Sequence, residues 1–294
     1  MQASILIVSH NRKSDLQKSL DILETQINKQ TTEVIVFLDG CTDGSEELQS
    51  EFGYIHWILS PACVGASAAR AKIYPLAKAE IIIGLDDDAH FLTSDFLSNI
   101  EIVFQSQPKT AIIAFEEVKG IFASDDIAMQ KADSNRKQYL CADFIGCGFA
   151  VRKSMYLQTN GFPTWVDIYG EESCVAIEIL DQGFDILYDN SIKVNHRVDM
   201  QKRKAEGKNY FRFGKQLKNI AYYYLVYYEK PFVPLAKLCF HNFKKYGLKD
   251  FTYFKIFIKT IFMVICNFSK VLRFRKPVSM ETLTKMRTLA NLQY

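Results

Sequence analysis

The sequence predicts an α/β protein with a mostly parallel central sheet flanked by helices and a basic helical extension after it. Short apolar runs rich in β-branched residues alternate with stretches whose apolar residues recur every three or four positions. This alternation is typical of βαβ units, in which successive strands lie parallel. Polar clusters also follow several predicted strands, and the carboxyl ends of parallel strands are where such sheets bind ligands.

The predicted elements follow from this patterning. Strands are predicted over residues 3–9, 33–38, 54–59, 81–85, 110–116, 141–152, 184–188 and 192–196. Helices are predicted over residues 13–28, 45–51, 65–79, 94–105 and 171–182. Residues 119–138 lack a pattern and are expected to form a loop over the site. Gly146 and Gly148 are expected to let another group approach the backbone closely.

Size and charge suggest a body and an appendage. The 294 residues are 48% hydrophobic, enough for one large domain or for a domain of about 200 residues with an extension. Residues 1–196 hold 15 Lys and Arg against 28 Asp and Glu, whereas residues 197–294 hold 21 against 5. An acidic body and a basic end indicate two different tasks.

The cysteines and the start of the chain bear on its location. The seven cysteines are odd in number and lack Cys-x-x-Cys spacing, so we expect neither a disulfide framework nor a zinc site. That usage suits a reducing compartment. The first residues enter a strand without a basic n-region, so no signal peptide is expected and the predicted location is cytoplasmic.

Three acidic residues, Asp86, Asp87 and Asp88, end the apolar run at 81–85. Side chains alternate along an extended chain, so Asp86 and Asp88 can face one point. Their repulsion is relieved by a cation, and a hard divalent cation such as Mg²⁺ or Mn²⁺ bridging to a diphosphate fits best. The alternative is a solvated acidic turn that caps the helix beginning near Ser94.

With these features in order, the chain resembles the family 2 glycosyltransferases of GT-A fold over about residues 3–235. The matching motifs are Asn11-Arg12, Leu38-Asp39-Gly40-Cys41-Thr42-Asp43-Gly44, Gly65 with Ala69-Arg70, Leu85-Asp86-Asp87-Asp88, Gly146-Cys147-Gly148-Phe149-Ala150-Val151-Arg152, Gly161-Phe162, Tyr169-Gly170-Glu171-Glu172 and His196. The resemblance implies a catalytic domain over 1–200, with a nucleotide-sugar half over about 1–115 and an acceptor half over about 116–200. Residues 201–294 would form the basic aromatic extension.

The resemblance also implies roles for single residues. Nucleotide-sugar binding would fall to Ser9, His10, Asn11, Arg12, Asp39, Arg70, Asp86 and Asp87. A divalent cation (Mg²⁺ or Mn²⁺) would be held by Asp88, Asp86 and His196. Many members carry Asp-Asp-Gly-Ser where this chain has Leu38-Asp39-Gly40-Cys41, which leaves the choice of base open, with a UDP- or dTDP-sugar expected.

The pair Glu171-Glu172 matches the family's Glu-Asp motif, whose carboxylate is the general base on the acceptor hydroxyl. Glu172 is the expected base and Glu171 the alternative. The family implies inversion at the anomeric carbon. The predicted function is therefore metal-dependent, inverting transfer of a hexosyl or deoxyhexosyl unit to a cell-surface glycan or lipid-linked acceptor. The alternatives are a nucleotidyltransferase or phosphohydrolase using the same acidic triplet, and a non-catalytic membrane-associated scaffold.

The basic end suggests a membrane surface as partner. Residues 251–268 are strongly apolar but carry Lys255 and Lys259 one helical turn apart. Two charges within the segment argue against a spanning helix and favour an amphipathic helix in the interface, through residues 250–294, at the inner face of the membrane. The alternative is a helical subdomain packed on the core. No nucleic-acid-binding motif is evident, so no nucleic-acid partner is expected.

Overall fold

The computed structural model describes residues 1–205 and 207–292. Glu206 and residues 293–294 of the predicted extension lie outside it, as do the side chains of residues 202–204. Within the described residues, one sheet contains nine strands, in the order β3-β2-β1-β4-β8-β6-β9-β5, with β7 paired to β9. The strands are β1 Ala3–Ser9, β2 Thr32–Asp39, β3 His56–Ser60, β4 Ile81–Asp86, β5 Ala89–Phe91, β6 Thr110–Lys119, β7 Gln138–Leu140, β8 Gly148–Arg152 and β9 Asp185–His196.

The sheet is mostly parallel, as predicted. Strand β1 runs parallel to β2 and β4, β2 to β3, and β6 to β9. Strand β8 is antiparallel to both β4 and β6, so those two strands share one direction. The carboxyl ends of β1, β2, β4 and β9 therefore lie on one rim, which brings Ser9, Asp39, Asp86 and His196 to the same side of the sheet.

Helices flank the sheet and continue beyond it. They are α1 Lys13–Gln26, α2 Leu48–Glu51, α3 Ala66–Ile73, α4 Phe96–Ser106, α5 Asp125–Met129, α6 Lys153–Tyr156, α7 Glu171–Asp181, α8 Met200–Ala205, α9 Tyr210–Tyr227, α10 Phe232–Asn242, α11 Phe251–Cys266, α12 Phe268–Val271 and α13 Met280–Thr288. One apolar layer seats α1 and α4 against the sheet, and a second layer seats α3 and α7. Both faces of the sheet are thus covered, as a parallel sheet requires.

Several predicted boundaries were wrong. The two strands predicted over 184–188 and 192–196 form the single strand β9, which crosses the polar residues between them with a register shift opposite β6. Asp189 is fully buried there, where it accepts hydrogen bonds from Ser191 and pairs with Arg136. The polar residues between the two predicted strands are therefore satisfied inside the single strand.

Other differences also have local causes. The helix predicted over 65–79 ends at Ile73, where the chain tightens into a 3₁₀ turn containing Pro75. The strand predicted over 141–152 begins only at Gly148, and the loop predicted over 119–138 contains the short helix α5. Strand β5, missed in the sequence, is only three residues long.

The C-terminal segment packs against helix α7 of the sheet-flanking layer. A buried cluster joins Ile177 of α7 to Leu225 of α9 and to Val271 and Leu283 further along. Glu178, also on α7 and 2% exposed, accepts hydrogen bonds from the Tyr227 hydroxyl and from Lys276 Nζ, each at 2.8 Å. The segment after α9 therefore completes the core around α7.

No helix in the described part of the chain combines the length and apolarity needed to cross a bilayer.

Candidate functional site

A cavity of about 660 Å³ opens on the rim where the polar strand ends meet. Its lining includes most of the residues singled out in the sequence, together with some that were not. The lining residues are Val8, His10, Arg12, Asp39, Cys63, Gly65, Ala66, Arg70, Asp86, Asp87, Asp88, Asp167, Ile168, Tyr169, Glu171, Glu172, His196, Phe211 and Lys215. Ser9 and Asn11 do not line the cavity: Ser9 is buried beneath it, and Asn11 is exposed outside it.

The three predicted metal ligands come together. One ligand atom each from Asp86, Asp88 and His196 lies within 4.8 Å of the others. The pairing of β5 with β9 places Ala89 opposite His196, which brings the histidine beside the acidic turn. Asp88 Oδ1 is buried, lies 3.2 Å from His196 Nε2 and accepts no well-directed hydrogen bond. Two carboxylates and an imidazole with one unsatisfied buried oxygen fit a divalent cation of the Mg²⁺ or Mn²⁺ type.

Charges around this triad stabilise the ionised carboxylates. Burial alone would raise the pKa of Asp88, but the close contact with His196 and its charge, and then Arg12, hold that pKa well below its usual range. Burial would likewise lower the pKa of His196, but its contacts with Asp88, Cys147 and Glu117 raise that pKa to about 12. His196 Nδ1 also contacts Glu117, a residue at the end of β6 that the sequence reading missed.

Arg12 and Asp87 brace the acidic turn. Arg12 Nη2 lies 2.6 Å from Asp88 Oδ2, and Arg12 Nη1 lies 3.2 Å from Asp87 Oδ1. The Ser9 hydroxyl donates to Asp87 Oδ2 at 2.7 Å. Burial raises the pKa of Asp87 to about 7, against the opposing charge of Arg12. Both carboxylate oxygens of Asp87 are thus engaged by protein groups, whereas Arg12 engages one oxygen of Asp88 and Arg70 engages one oxygen of Asp86.

Arg197 is a second support that the sequence reading missed. Its backbone N–H donates to the Asp88 carbonyl at 2.9 Å, and its Nη2 donates to Ser19 Oγ at 2.7 Å and to the Asp15 carbonyl at 2.9 Å. Arg197 therefore links helix α1, which its guanidinium contacts, to the acidic turn, which its backbone N–H contacts. The only signal in the sequence was that a positively charged residue directly follows His196 at the end of a strand.

The predicted nucleotide-binding loops meet at Asp39. One carboxylate oxygen of Asp39 accepts from the Val64 N–H at 2.7 Å, and the other accepts from the Gly65 N–H at 2.9 Å. The Asp39 backbone carbonyl contacts a ring nitrogen of His10. Asn11 has a left-handed φ of 52°, and its side-chain oxygen accepts from the Thr42 N–H at 2.7 Å. These contacts fix the loops that wall this end of the cavity.

Arg70 connects the metal triad to the predicted base. Its Nη2 donates to Asp86 Oδ1 at 2.8 Å, while its Nη1 lies 3.2 Å from Glu171 Oε1 and 3.3 Å from Glu172 Oε1. Arg70 is 8% exposed, so these charge-assisted contacts are poorly screened. One guanidinium therefore fixes the spacing between the two halves of the site.

The two glutamates have altered acidity. Burial, and then the neighbouring charge of Glu171, raise the pKa of Glu172 to about 8, against the opposing effect of Arg70. Burial also raises the pKa of Glu171, and Arg70 again opposes the shift. A carboxyl group whose pKa lies near neutral pH is suited to accept a proton from a hydroxyl.

Gly146 makes room for this arrangement, as the sequence predicted. A Cβ atom at this position would lie 2.3 Å from Glu172 Oε1 and 3.0 Å from Arg70 Nη2. We expect Gly146→Ala to fold normally but to displace Glu172, and to lower turnover with saturating donor by about tenfold or more. The control is Gly53→Ala, where a Cβ meets nothing within 4 Å. Equal turnover in the two variants would contradict this placement of Glu172.

The loop before α7 is held by the extension. Asn219 of α9 donates from Nδ2 to the Ile168 carbonyl at 2.7 Å and to the Tyr169 carbonyl at 2.9 Å. Tyr169 has a φ of 71°, an uncommon conformation for a non-glycine residue. The hydrogen bonds from α9 stabilise this strained turn, which carries Glu171 and Glu172 into the cavity.

Comparisons with known proteins agree with this architecture. The structure of GalNAc-T7 with UDP, GalNAc and Mn²⁺ has a TM-score of 0.58 at 14% identity, covering 78% of this chain and 48% of that one. The mannosyltransferase PcManGT from Pyrobaculum calidifontis, in complex with GDP-Man and Mn²⁺, has a TM-score of 0.58 at 15% identity, covering 98% of this chain and 79% of that one. Residues 1–349 of S. aureus TarS with UDP-GlcNAc give 0.59 at 13% identity, covering 88% and 79%.

These likenesses confirm the GT-A fold. This chain spans about half the length of GalNAc-T7 and about four fifths of the other two proteins. A sequence search among curated proteins finds no match. The family model described as Glycosyl transferase family 2 matches residues 4–158, which include the cation triad's two aspartates and Arg70. The chain therefore belongs to glycosyl transferase family 2.

Proposed function

We propose that this glycosyltransferase moves one hexosyl or deoxyhexosyl unit, with inversion and with the help of a divalent cation, from a nucleoside diphosphate sugar to a glycan or lipid-linked acceptor. The observation that carries the proposal is Arg70, which contacts both Asp86 of the cation triad and the pair Glu171-Glu172 within one cavity. A donor held at the triad and an acceptor held at the glutamates would thus meet across a fixed distance.

Each group has a distinct task in this mechanism. Asp86, Asp88 and His196 would hold a divalent cation, whose charge would stabilise the negative charge developing on the departing diphosphate. Glu172 accepts the proton of the acceptor hydroxyl, and Glu171 is the alternative base. Arg70 holds these carboxylates in place. Inversion is proposed because the resemblance to the family implies it; a base on the face opposite the leaving group would give the in-line attack that inversion requires.

A uridine or thymidine nucleotide is the proposed donor base. GalNAc-T7 and TarS were solved with UDP or UDP-GlcNAc, whereas PcManGT was solved with GDP-Man. In this chain the Asp39 carboxylate is occupied by two backbone N–H groups, so it would act mainly by shaping the loop at residues 63–65.

Calorimetry tests the proposed function. We expect UDP or dTDP to bind with an affinity that rises at least tenfold when Mn²⁺ is present, and GDP to bind more weakly. Slow hydrolysis of a panel of nucleotide sugars would then identify the donor sugar. Failure of all three nucleotides to bind would favour the scaffold alternative, and release of nucleoside monophosphate without sugar transfer would favour a phosphohydrolase.

We further propose that the enzyme lies at the cytoplasmic face of a membrane through its extension. Helices α10 and α11 expose large apolar side chains that a water-facing surface rarely gathers. Phe240 is 68% exposed, Phe262 68% and Ile265 66%, and Lys255 lies on the same helix as the last two. Apolar side chains with nearby lysines suit an interface carrying anionic headgroups.

Vesicle sedimentation tests this location. The double substitution Phe262→Glu and Ile265→Glu is expected to reduce binding to phosphatidylglycerol vesicles at least tenfold. It places negative charge on the apolar surface of α11 that would enter the membrane interface. The control is Ile102→Glu on α4, which replaces an equally exposed apolar side chain (61%). Unchanged binding by the double variant would refute the membrane contact. Deletion of residues 250–294 is unsuitable, because Val271 and Leu283 complete the core around α7.

A further inference from the structure

A second, smaller cavity of about 250 Å³ lies between helices α9 and α11. Gly214 on α9 and Ile256, Thr260 and Met263 on α11 form its walls. The helices approach closely here, since a Cβ atom on Gly214 would lie 3.1 Å from Ile256 Cγ2. The absence of a side chain at residue 214 therefore permits this close approach of the two helices. We call this feature the α9–α11 groove.

The groove adjoins the catalytic cavity. Phe211 and Lys215 line both spaces, so one wall is common to the two. Asp167, which lines the catalytic cavity, pairs with Lys215 and lies 3.0 Å from Lys218 Nζ on the groove side. A molecule lying in the groove would therefore reach the cavity that contains Glu171 and Glu172.

The groove carries an excess of positive charge. Three lysines line it (Lys215, Lys218 and Lys259), and Asp167 is the acidic partner of the first two. Lys259 is exposed and has no ion pair with any described residue. The groove therefore has a surplus of about two positive charges next to apolar walls, which suits an anion attached to an apolar chain.

The other end of the groove reaches the exposed apolar surface. Met263 lines the groove and is 38% exposed, and its neighbour Phe262 is 68% exposed. An apolar chain entering from the bilayer would contact Met263 and Ile256, and Lys259 and Thr260 line the groove between them. Its charged head would then lie among the lysines, next to the catalytic cavity.

We propose that the α9–α11 groove binds the phosphate and the first isoprene-length segment of a lipid-linked acceptor, with Lys218 and Lys259 as the phosphate ligands. The inference rests on the proposed function and narrows its acceptor from any glycan to a lipid phosphate. The occupant is the acceptor itself rather than a bulk phospholipid, because the groove shares Phe211 and Lys215 with the catalytic cavity. With the phosphate held in the groove, the acceptor sugar attached to it would face Glu172.

Calorimetry with farnesyl phosphate below its micelle concentration tests the groove. We expect farnesyl phosphate to bind at least tenfold more tightly than farnesol or inorganic phosphate, since only it satisfies both the lysines and the apolar walls. Lys259→Glu should weaken that binding tenfold or more, and Lys259→Arg should restore it. The matched control is Lys255→Glu, which makes the same charge change one turn earlier on α11, where the side chain stacks over Phe251 rather than lining the groove.

The outcomes separate this inference from the proposed function. Mn²⁺-dependent UDP binding should be equal in the wild type, Lys259→Glu and Lys255→Glu, and its absence in all three would refute the proposed function instead. Retained UDP binding with no preference for farnesyl phosphate over farnesol would refute the groove as a lipid-phosphate site. Equal losses of farnesyl phosphate affinity in Lys259→Glu and Lys255→Glu would mean that the protein attracts any anionic lipid, and would overturn the inference. Displacement of farnesyl phosphate by an equal concentration of dispersed short-chain phosphatidylglycerol would overturn it for the same reason.

Discussion

Asp88→Ala is expected to abolish the Mn²⁺ dependence of nucleotide binding and to lower transfer about 100-fold or more. Asp88 supplies the buried oxygen Oδ1, which lacks a well-directed hydrogen bond and lies 3.2 Å from His196 Nε2. Removing this carboxylate leaves Asp86 and His196 as an incomplete ligand set. Calorimetry with UDP in the presence and absence of Mn²⁺ measures the effect, and thermal unfolding checks that the variant is folded.

The comparison variant for this experiment is Asp126→Ala, which removes an exposed carboxylate from the short helix α5. It should bind UDP and Mn²⁺ like the wild type. If Asp88→Ala also keeps a wild-type response to Mn²⁺, the cation does not bind at this triad. Arg12 is expected to keep its position in Asp88→Ala, because it loses its 2.6 Å partner but keeps its contact with Asp87.

Glu172→Gln is expected to retain donor binding and to lose transfer by about 10²–10⁴-fold, the range typical of a removed general base. The amide is nearly isosteric and can still lie beside Arg70, but it cannot accept the hydroxyl proton. Single-turnover transfer from the identified donor measures the loss, with UDP calorimetry as the binding control. A larger loss in Glu171→Gln than in Glu172→Gln would exchange the two roles.

The pH dependence gives an independent measure of the same residue. Because the pKa of Glu172 is raised to about 8, the base is mostly protonated at pH 6, and transfer should rise with pH towards a plateau above about pH 8. In Glu171→Gln the neighbouring negative charge is gone, so the rising limb should move to lower pH. If transfer by the wild type instead rose near pH 4.3, about the ordinary pKa of a glutamate, this assignment would be contradicted.

The sequence was sufficient to predict the rim of the sheet. The parallel order of the early strands follows from the alternation of apolar runs and helical stretches, and that order alone brings the ends of β1, β2 and β4 together. Alternation along an extended chain predicts that Asp86 and Asp88 face one point, and their ligand atoms do lie within 4.8 Å of each other and of His196. The reason differs, because β4 ends at Asp86 and a turn at residues 87–88, rather than an extended chain, brings the two carboxylates together. The sequence therefore predicted where the acidic side of the site lies but not the turn that forms it.

The supports of the site could not be predicted in this way, because they depend on contacts between distant segments. Arg197 contacts residues of α1 that lie almost the whole catalytic region away in sequence. Asn219 fixes the turn at Tyr169 from a helix whose position depends on tertiary packing. The burial of Asp189 within β9 likewise depends on Arg136, which approaches from a different loop. Spacing in the sequence carries no information about such pairings.

Glu178 has a practical consequence for making hybrid enzymes. It lies on the helix that begins with Glu171 and Glu172, and it is bonded to both Tyr227 and Lys276. A chimera could join this catalytic region to the C-terminal segment of another enzyme. The buried Glu178 carboxylate would then lack partners unless that segment supplied both hydrogen-bond donors. In this enzyme, hybrids should therefore exchange the segment from before α9 onward together with the face of α7 that it contacts, rather than the C-terminal segment alone.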